Sequence, residues 1–192
     1  MPLTREDSFV SPSTSWNKKS LSIETAYFQF KFNHFHTPVT RILFVCLGNI
    51  CRSPAGENTM RNLLQQEGVT NISLDSAGTA GYHIGKEPDE RMTATLKNRG
   101  IRVTGQARQF EKKDFDDFDL IIPMDEDNRH NILRLARSKS DRTKVQPFMN
   151  FCTEFTNPEV PDPYYGDQDG FELVADIIAD GCVGLLAKIR KN

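Results

Sequence analysis

Arg41-Ile42-Leu43-Phe44-Val45-Cys46-Leu47-Gly48-Asn49-Ile50-Cys51-Arg52-Ser53-Pro54-Ala55-Gly56-Glu57 carries three structural signals in succession. Residues 41–45 are a short apolar run that reads as a buried strand. From Ser53 onward the chain reads as a helix start, with Pro54 in the first turn and Glu57 able to support the cap. Between the two, five residues separate Cys46 from Arg52. Strand, short loop and helix N-terminus in that order build an anion site, because loop amides and the positive helix end converge on one point.

The residue types in this loop suit phosphoryl transfer through a thiolate. A thiol attacks only when ionised, and the loop amides, the helix end and Arg52 all favour negative charge at the loop centre. Arg52 suits a phosphate better than Lys would, since its planar fork gives two parallel hydrogen bonds. Gly48 permits a backbone course that a side chain would obstruct. Asn49 and Ser53 can tie the loop to itself, and the Ser53 hydroxyl can stabilise sulfur. Taken alone, Cys46 also reads as an ordinary buried strand-end cysteine. Gly48, Arg52 and Ser53 at these offsets turn the balance towards a cysteine-dependent phosphatase.

Such chemistry needs an acid for the leaving oxygen and a base for the water that clears the intermediate. Val160-Pro161-Asp162-Pro163-Tyr164-Tyr165-Gly166-Asp167 offers Asp162, held between two prolines in a non-helical loop. Tyr164 and Tyr165 can wall a flat phenyl ring. The competing reading is a plain turn with ordinary tyrosine packing.

Further along, apolar patterning alternates strand and helix. Strands are expected at 41–46, 70–76, 118–124 and 144–148, and helices at 53–67, 88–99, 127–137 and 171–188. That alternation implies parallel pairing with right-handed crossovers. The anion loop then falls at a strand C-terminus, where open α/β sheets bind ligands.

Cys46 to Pro54 together with Asp162-Pro163-Tyr164-Tyr165-Gly166 resembles the low-molecular-weight protein tyrosine phosphatases. Asp75-Ser76-Ala77-Gly78-Thr79, Ala107-Arg108-Gln109-Phe110 and 118–125 look like further family segments in the expected order. The resemblance covers roughly residues 41–190. It implies a flavodoxin-like three-layer α/β fold with a parallel four-stranded sheet and the phosphate loop between the first strand and first helix. It implies Cys46 as nucleophile, Arg52 as transition-state clamp and Asp162 as acid and then base, with no metal and no organic cofactor. Substrate-binding residues carried over are Leu47, Gly48, Asn49, Ile50, Cys51, Ser53, Tyr82, Tyr164 and Tyr165. Ile50 matches the tyrosine phosphatases, whereas the similar arginine phosphatases tend to carry Thr there and lack the tyrosine pair. Tyr82 matches a variable aromatic wall. Arg99 departs from the pattern, standing where some members carry a histidine that braces the phosphate loop. It either meets that network or caps a helix C-terminus in solvent; in the first case loop rigidity rests on Asn49, Ser53 and Ser76. Cys51 either forms a reversible disulfide with Cys46 on oxidation, as the resemblance implies, or packs against the following helix. Cys152 and Cys182 read as core or helix-face residues, and His130 as a surface residue.

The chain has 192 residues and is 38% hydrophobic, enough for a single α/β core and not for a second. A net charge of −2 without a basic run argues against nucleic-acid partners. No apolar stretch approaches the ~20 residues of a membrane span. Four cysteines without zinc spacing fit a reducing cytoplasm. Expected partners are tyrosine-phosphorylated proteins, with the chain a monomer or a weakly self-associating dimer. The catalytic domain is expected over 41–192, preceded by an extension at 1–40 rich in Ser and Thr. That extension reads as a disordered tail, as a plastid or other organellar transit peptide, or as an added strand with Phe28, Phe30 and Phe32 on one face. Two other functions compete. Thiol-dependent arsenate reduction needs further redox cysteines, and none lies between Cys51 and Cys152. A phosphotyrosine-binding module needs neither thiol nor acid.

Overall fold

In the computed structural model, residues 40–191 are described, so the readings offered for the extension at 1–39 lie outside the described residues. Strand β1 (Thr40–Cys46) is central, with β2 (Ile72–Gly78) on one side and β3 (Leu120–Pro123) on the other, all parallel. Its apolar run is continuous because both of its faces are covered. Ile42, Phe44 and Cys46 pack with α1 (Arg52–Gln66), α2 (Glu90–Asn98) and α6 (Gln168–Ile189). Leu43 and Val45 pack on the opposite side with Phe115 of α3 (Asp114–Asp117), Ile132 of α4 (Glu126–Leu135) and Val145. The result is three layers.

Register sets the site. Cys46 pairs with Gly78, and Val45 with Pro123, so all three strands end at the same level. The segments leaving β1, β2 and β3 therefore emerge side by side.

The described sheet has three strands, and the strand expected at 144–148 is reduced to one parallel bridge between Ile121 and Val145. Lys144 instead ends a short helix, α5 (Lys139–Lys144), capped by Ser138 accepting from the Asp141 amide at 3.0 Å. Beyond the bridge, Pro147 has no N–H to donate, and Phe148–Phe151 turns into a 3₁₀ helix. The other expected strands and helices are present within a few residues of their expected ends. Cys182 is fully buried on α6, Cys152 is half-buried, and burial pushes the Cys152 thiol up to about 12. His130 is exposed on α4.

The 3₁₀ helix lies hard against α6 at two glycines. A Cβ on Gly184 would stand 1.9 Å from the Phe151 carbonyl oxygen, and one on Gly181 would stand 2.2 Å from the Phe148 ring. A backbone carbonyl cannot swing aside as a side chain can. Gly184→Ala is therefore expected to destabilise the domain by about 1–3 kcal/mol, lowering Tm by roughly 2–12 °C in a calorimetric scan. An unchanged Tm would mean that the 3₁₀ helix yields freely.

Arg99, at the end of α2, pairs with Glu172 and Asp176 of α6, both at 2.6 Å. It therefore does not meet the phosphate-loop network; it is exposed and is the C-cap residue of α2, as the second reading expects, with its guanidinium tied to α6. Among the described residues no helix is long and apolar enough to cross a membrane.

Candidate active site

The loop from Cys46 to Ser53 is held from outside by its carbonyls. Those of Cys46, Leu47 and Ile50 accept from the amides of Thr79, Ala80 and Asp89 at 2.9, 2.9 and 2.7 Å. In a trans peptide the N–H points opposite to the C=O. The amides of Leu47, Gly48 and Cys51 consequently turn away from these braces, towards the cavity that the same residues line. Asn49 makes the bend, with φ at 55°, a left-handed conformation that Asn tolerates better than most residues.

Asn49 and Ser53 are buried and do not line the cavity; their side chains hold the loop from behind. Asn49 Nδ2 donates to Ser53 Oγ at 3.0 Å and to Ser76 Oγ at 2.9 Å, while Asn49 Oδ1 accepts from the Arg108 amide at 2.8 Å. Ser76 in turn donates to Glu57 Oε2 at 2.6 Å. A carboxylate only accepts, so the direction of this chain is set from Glu57 outward. Ser53 accepts a hydrogen bond from Asn49, so its own O–H is left to donate. Its oxygen lies 3.0 Å from Cys46 Sγ and 3.2 Å from the Ala77 carbonyl, and its proton serves one of them at a time. Glu57 thus does not return to the helix start as expected; it buttresses Ser76 and pairs with Arg61. Asn49, Ser53 and Ser76 brace the loop although Arg99 stands apart from them, and Glu57 extends the network.

Arg52 is 3% exposed, and its guanidinium is held by two carboxylates. Nη1 donates to Asp125 Oδ2 at 2.6 Å and to the Val160 carbonyl at 3.1 Å, and Nη2 donates to Asp162 Oδ2 at 2.6 Å. Burial disfavours its charge, but Cys46, Asp162 and Asp125 outweigh that and hold its pKa above the ordinary arginine value. Asp125 stands two residues beyond the end of β3 and caps α4 with its other oxygen, accepting from the Asn128 amide at 2.6 Å. Neither the cap nor the ion pair with a residue 73 positions away was singled out from sequence.

One cavity of about 150 Å³ gathers Cys46, Leu47, Gly48, Ile50, Cys51, Arg52, Tyr82, Asp162, Tyr164 and Tyr165. Residues from three distant stretches of sequence meet there. Tyr164 is half-buried, whereas Tyr82 and Tyr165 stand out at the rim, 79% and 95% exposed. The Tyr164 and Tyr165 rings meet edge to face, 5.0 Å between centroids. His83 also lines the cavity and was not singled out from sequence; its ring lies so close to Gly48 that a Cβ there would stand 2.8 Å from His83 Cδ2. Gly48 is not among the glycines of positive φ, so this close approach is what favours glycine at position 48. Cys51 is a buried free thiol; burial, and then the charges of Cys46, Asp89 and Asp162, push its pKa upward and keep it protonated.

Chemically, this is a pocket with a sulfur at its floor, a guanidinium at its wall, inward-facing amides and a carboxylate at its mouth. Known proteins share its setting. Residues 41–192 match the profile of the low molecular weight phosphotyrosine protein phosphatases. The chain is 51% identical over 153 residues to a putative low molecular weight protein-tyrosine-phosphatase of Synechocystis, spanning 79% of this chain and 98% of that protein. Among solved structures it is similar to a protein tyrosine phosphatase from Entamoeba histolytica with Hepes in its active site, with a TM-score of 0.77 and 42% identity over 79% of this chain and 97% of that one. It is also similar to a Drosophila arginine phosphatase, with a TM-score of 0.72 and 29% identity over 77% and 96% of the two chains.

Proposed function

The chain belongs to the low molecular weight phosphotyrosine protein phosphatase family, and from that premise we propose that it hydrolyses phosphotyrosine in proteins through a phosphocysteine at Cys46. Cys46 Sγ attacks phosphorus as the bond to the tyrosine oxygen breaks, and Asp162 gives its proton to the departing phenoxide. Asp162, now a carboxylate, takes a proton from water. That water oxygen attacks phosphorus, the S–P bond breaks, and inorganic phosphate leaves with the thiolate restored.

Arg52 and the loop amides hold the equatorial oxygens throughout, where charge accumulates in the transition state. Without substrate, Arg52 Nη2 is engaged by Asp162. A phosphate dianion competes for the same N–H groups. Two anions cannot share them without repulsion, and a proton on Asp162 relieves it, which is the form the first step needs. Asp125 stays on Nη1 and keeps the fork aimed. Ser53, 3.0 Å from the sulfur, donates to the thiolate as it departs from phosphorus. Because turnover needs Cys46 as a free thiol, a reducing compartment follows.

The observation that carries this assignment is the convergence of Cys46, Arg52 and Asp162 on one cavity whose side is a half-buried tyrosine. Ile50 beside Tyr164 and Tyr82 suits a flat aryl phosphate. Asp162→Ala is expected to lower kcat/KM, which reports only the step that expels the phenol, by on the order of 10²–10⁴ for phosphotyrosine, whose phenol is a poor leaving group of pKa about 10, and by much less for acidic phenols. Steady-state rates across a series of aryl phosphates measure this. A near-normal rate with poor leaving groups would remove Asp162 from the mechanism.

A further inference from the structure

We infer that Arg91 is a positioning residue for the acid: it ties the loop that carries Asp162 to the loop that carries Cys46. This rests on the roles proposed above for those two residues. The connection from Cys152 to Asp167 has no helix or strand of its own, yet it must hold one carboxylate over one sulfur. On the near side of Asp162, Val160 is fixed by the Met124 carbonyl at 2.9 Å and by Arg52. On the far side, the Gly166 amide closes a turn onto the Pro163 carbonyl at 2.9 Å, and the Tyr164 amide donates to Asp162 Oδ1 at 3.2 Å. Arg91 Nη1 grips that turn by donating to the Tyr164 carbonyl at 3.1 Å.

The same guanidinium reaches the nucleophile loop in two steps. Its Nη2 and Nε donate to the two oxygens of Asp89 at 2.9 and 3.2 Å, and the Asp89 amide donates to the Ile50 carbonyl at 2.7 Å. Ile50, Asp89, Arg91, Tyr164 and Asp162 therefore form an unbroken path from the phosphate loop to the acid. Arg91 also lies between two rings, 5.3 Å from the Tyr164 centroid and 4.6 Å from that of Phe171. Phe171 is fully buried in the first turns of α6, so the guanidinium is backed by the core. Burial works against the Asp89 charge, but hydrogen bonds from the Arg91 side chain and from the Arg91 and Met92 amides outweigh it and hold the carboxyl below its usual range. The pair accordingly stays ionised at working pH. A lysine could not reproduce this arrangement, since it lacks the planar fork whose three nitrogens here meet both Asp89 oxygens and the Tyr164 carbonyl.

A residue that acts through the acid leaves a signature that general loosening does not. Arg91→Ala is expected to lower kcat/KM, which excludes the later hydrolysis of the phosphocysteine, about 10–100-fold for poor leaving groups and less than about threefold for acidic phenols, as a misplaced acid would. Arg91→Lys, which keeps the charge and guards against a folding failure, is expected to fall between wild type and Arg91→Ala in the same series. In an Asp162→Ala background, Arg91→Ala should add no further leaving-group dependence. A uniform loss across all leaving groups, or a loss that adds fully to that of Asp162→Ala, would overturn the inference. Should Asp162→Ala itself show no leaving-group dependence, the acid assignment fails first, and this inference falls with it by a separately recognised route.

Discussion

Cys46→Ser is expected to lower turnover of phosphotyrosine peptides by about 10⁴-fold or more, the scale seen when a covalent nucleophile is removed. Oxygen replaces sulfur with little change in volume, so the buried position and the hydrogen bond from Ser53 can both persist. What is lost is the ease of ionisation. A serine hydroxyl needs an adjacent base to attack, and the group beside it here, Ser53, is a donor in the network anchored on Glu57. Because the amides and Arg52 remain, phosphate binding measured by calorimetry should stay within a few-fold of wild type. A serine variant that retains a tenth of normal turnover would place the nucleophile elsewhere.

Arg52→Ala is expected to have a comparable effect on kcat, on the order of 10³–10⁵, the scale set by arginines that stabilise transferring phosphoryl groups. It also carries a structural cost that must be separated from the chemical one. Removing the guanidinium leaves Asp125 and Asp162 without their shared cation. Breaking a buried pair in this way costs about 3–5 kcal/mol, and here the lower end or less, because the Asp162 side chain remains 38% exposed to water. Arg52→Lys distinguishes the two. It restores a positive charge between the carboxylates and should recover much of the Tm, while failing to span Asp125 and the phosphate together. Recovered stability with kcat still far below normal would identify the planar fork as the catalytic requirement; recovered kcat would mean that charge alone suffices.

The parts of the fold legible in sequence were those in which local pattern and tertiary role coincide. The run 41–45 reads as a buried strand because it is covered on both faces, and Cys46 to Ser53 reads as an anion loop because its own spacing forms the pocket. Asp162 was legible because two prolines and two tyrosines mark a stiff aromatic loop. What escaped depended on partners remote in the chain. Glu57 looked like a helix-start residue until Ser76 met it, and Asp125, just ahead of an expected helix, has nothing local to connect it to Arg52. Arg91 lay inside an expected helix with nothing local to connect it to Tyr164. The strand expected at 144–148 failed for a different reason. Val145 has the apolar character to pair and does so once, but the Ser138-to-Asp141 helix start before it and Pro147 after it leave no room for a second bridge.

The central claim is that this pocket removes phosphate from tyrosine by way of Cys46. The most direct measurement is phosphate release from matched phosphotyrosine and phosphoarginine peptides, with Cys46→Ser assayed beside the wild type. The expected result is turnover of phosphotyrosine that vanishes in the serine variant, with little or no release from phosphoarginine. Turnover of phosphoarginine alone would contradict the reading of Ile50, Tyr82 and Tyr164 as an aryl slot, and release from neither peptide would contradict the assignment of the pocket as a phosphatase site.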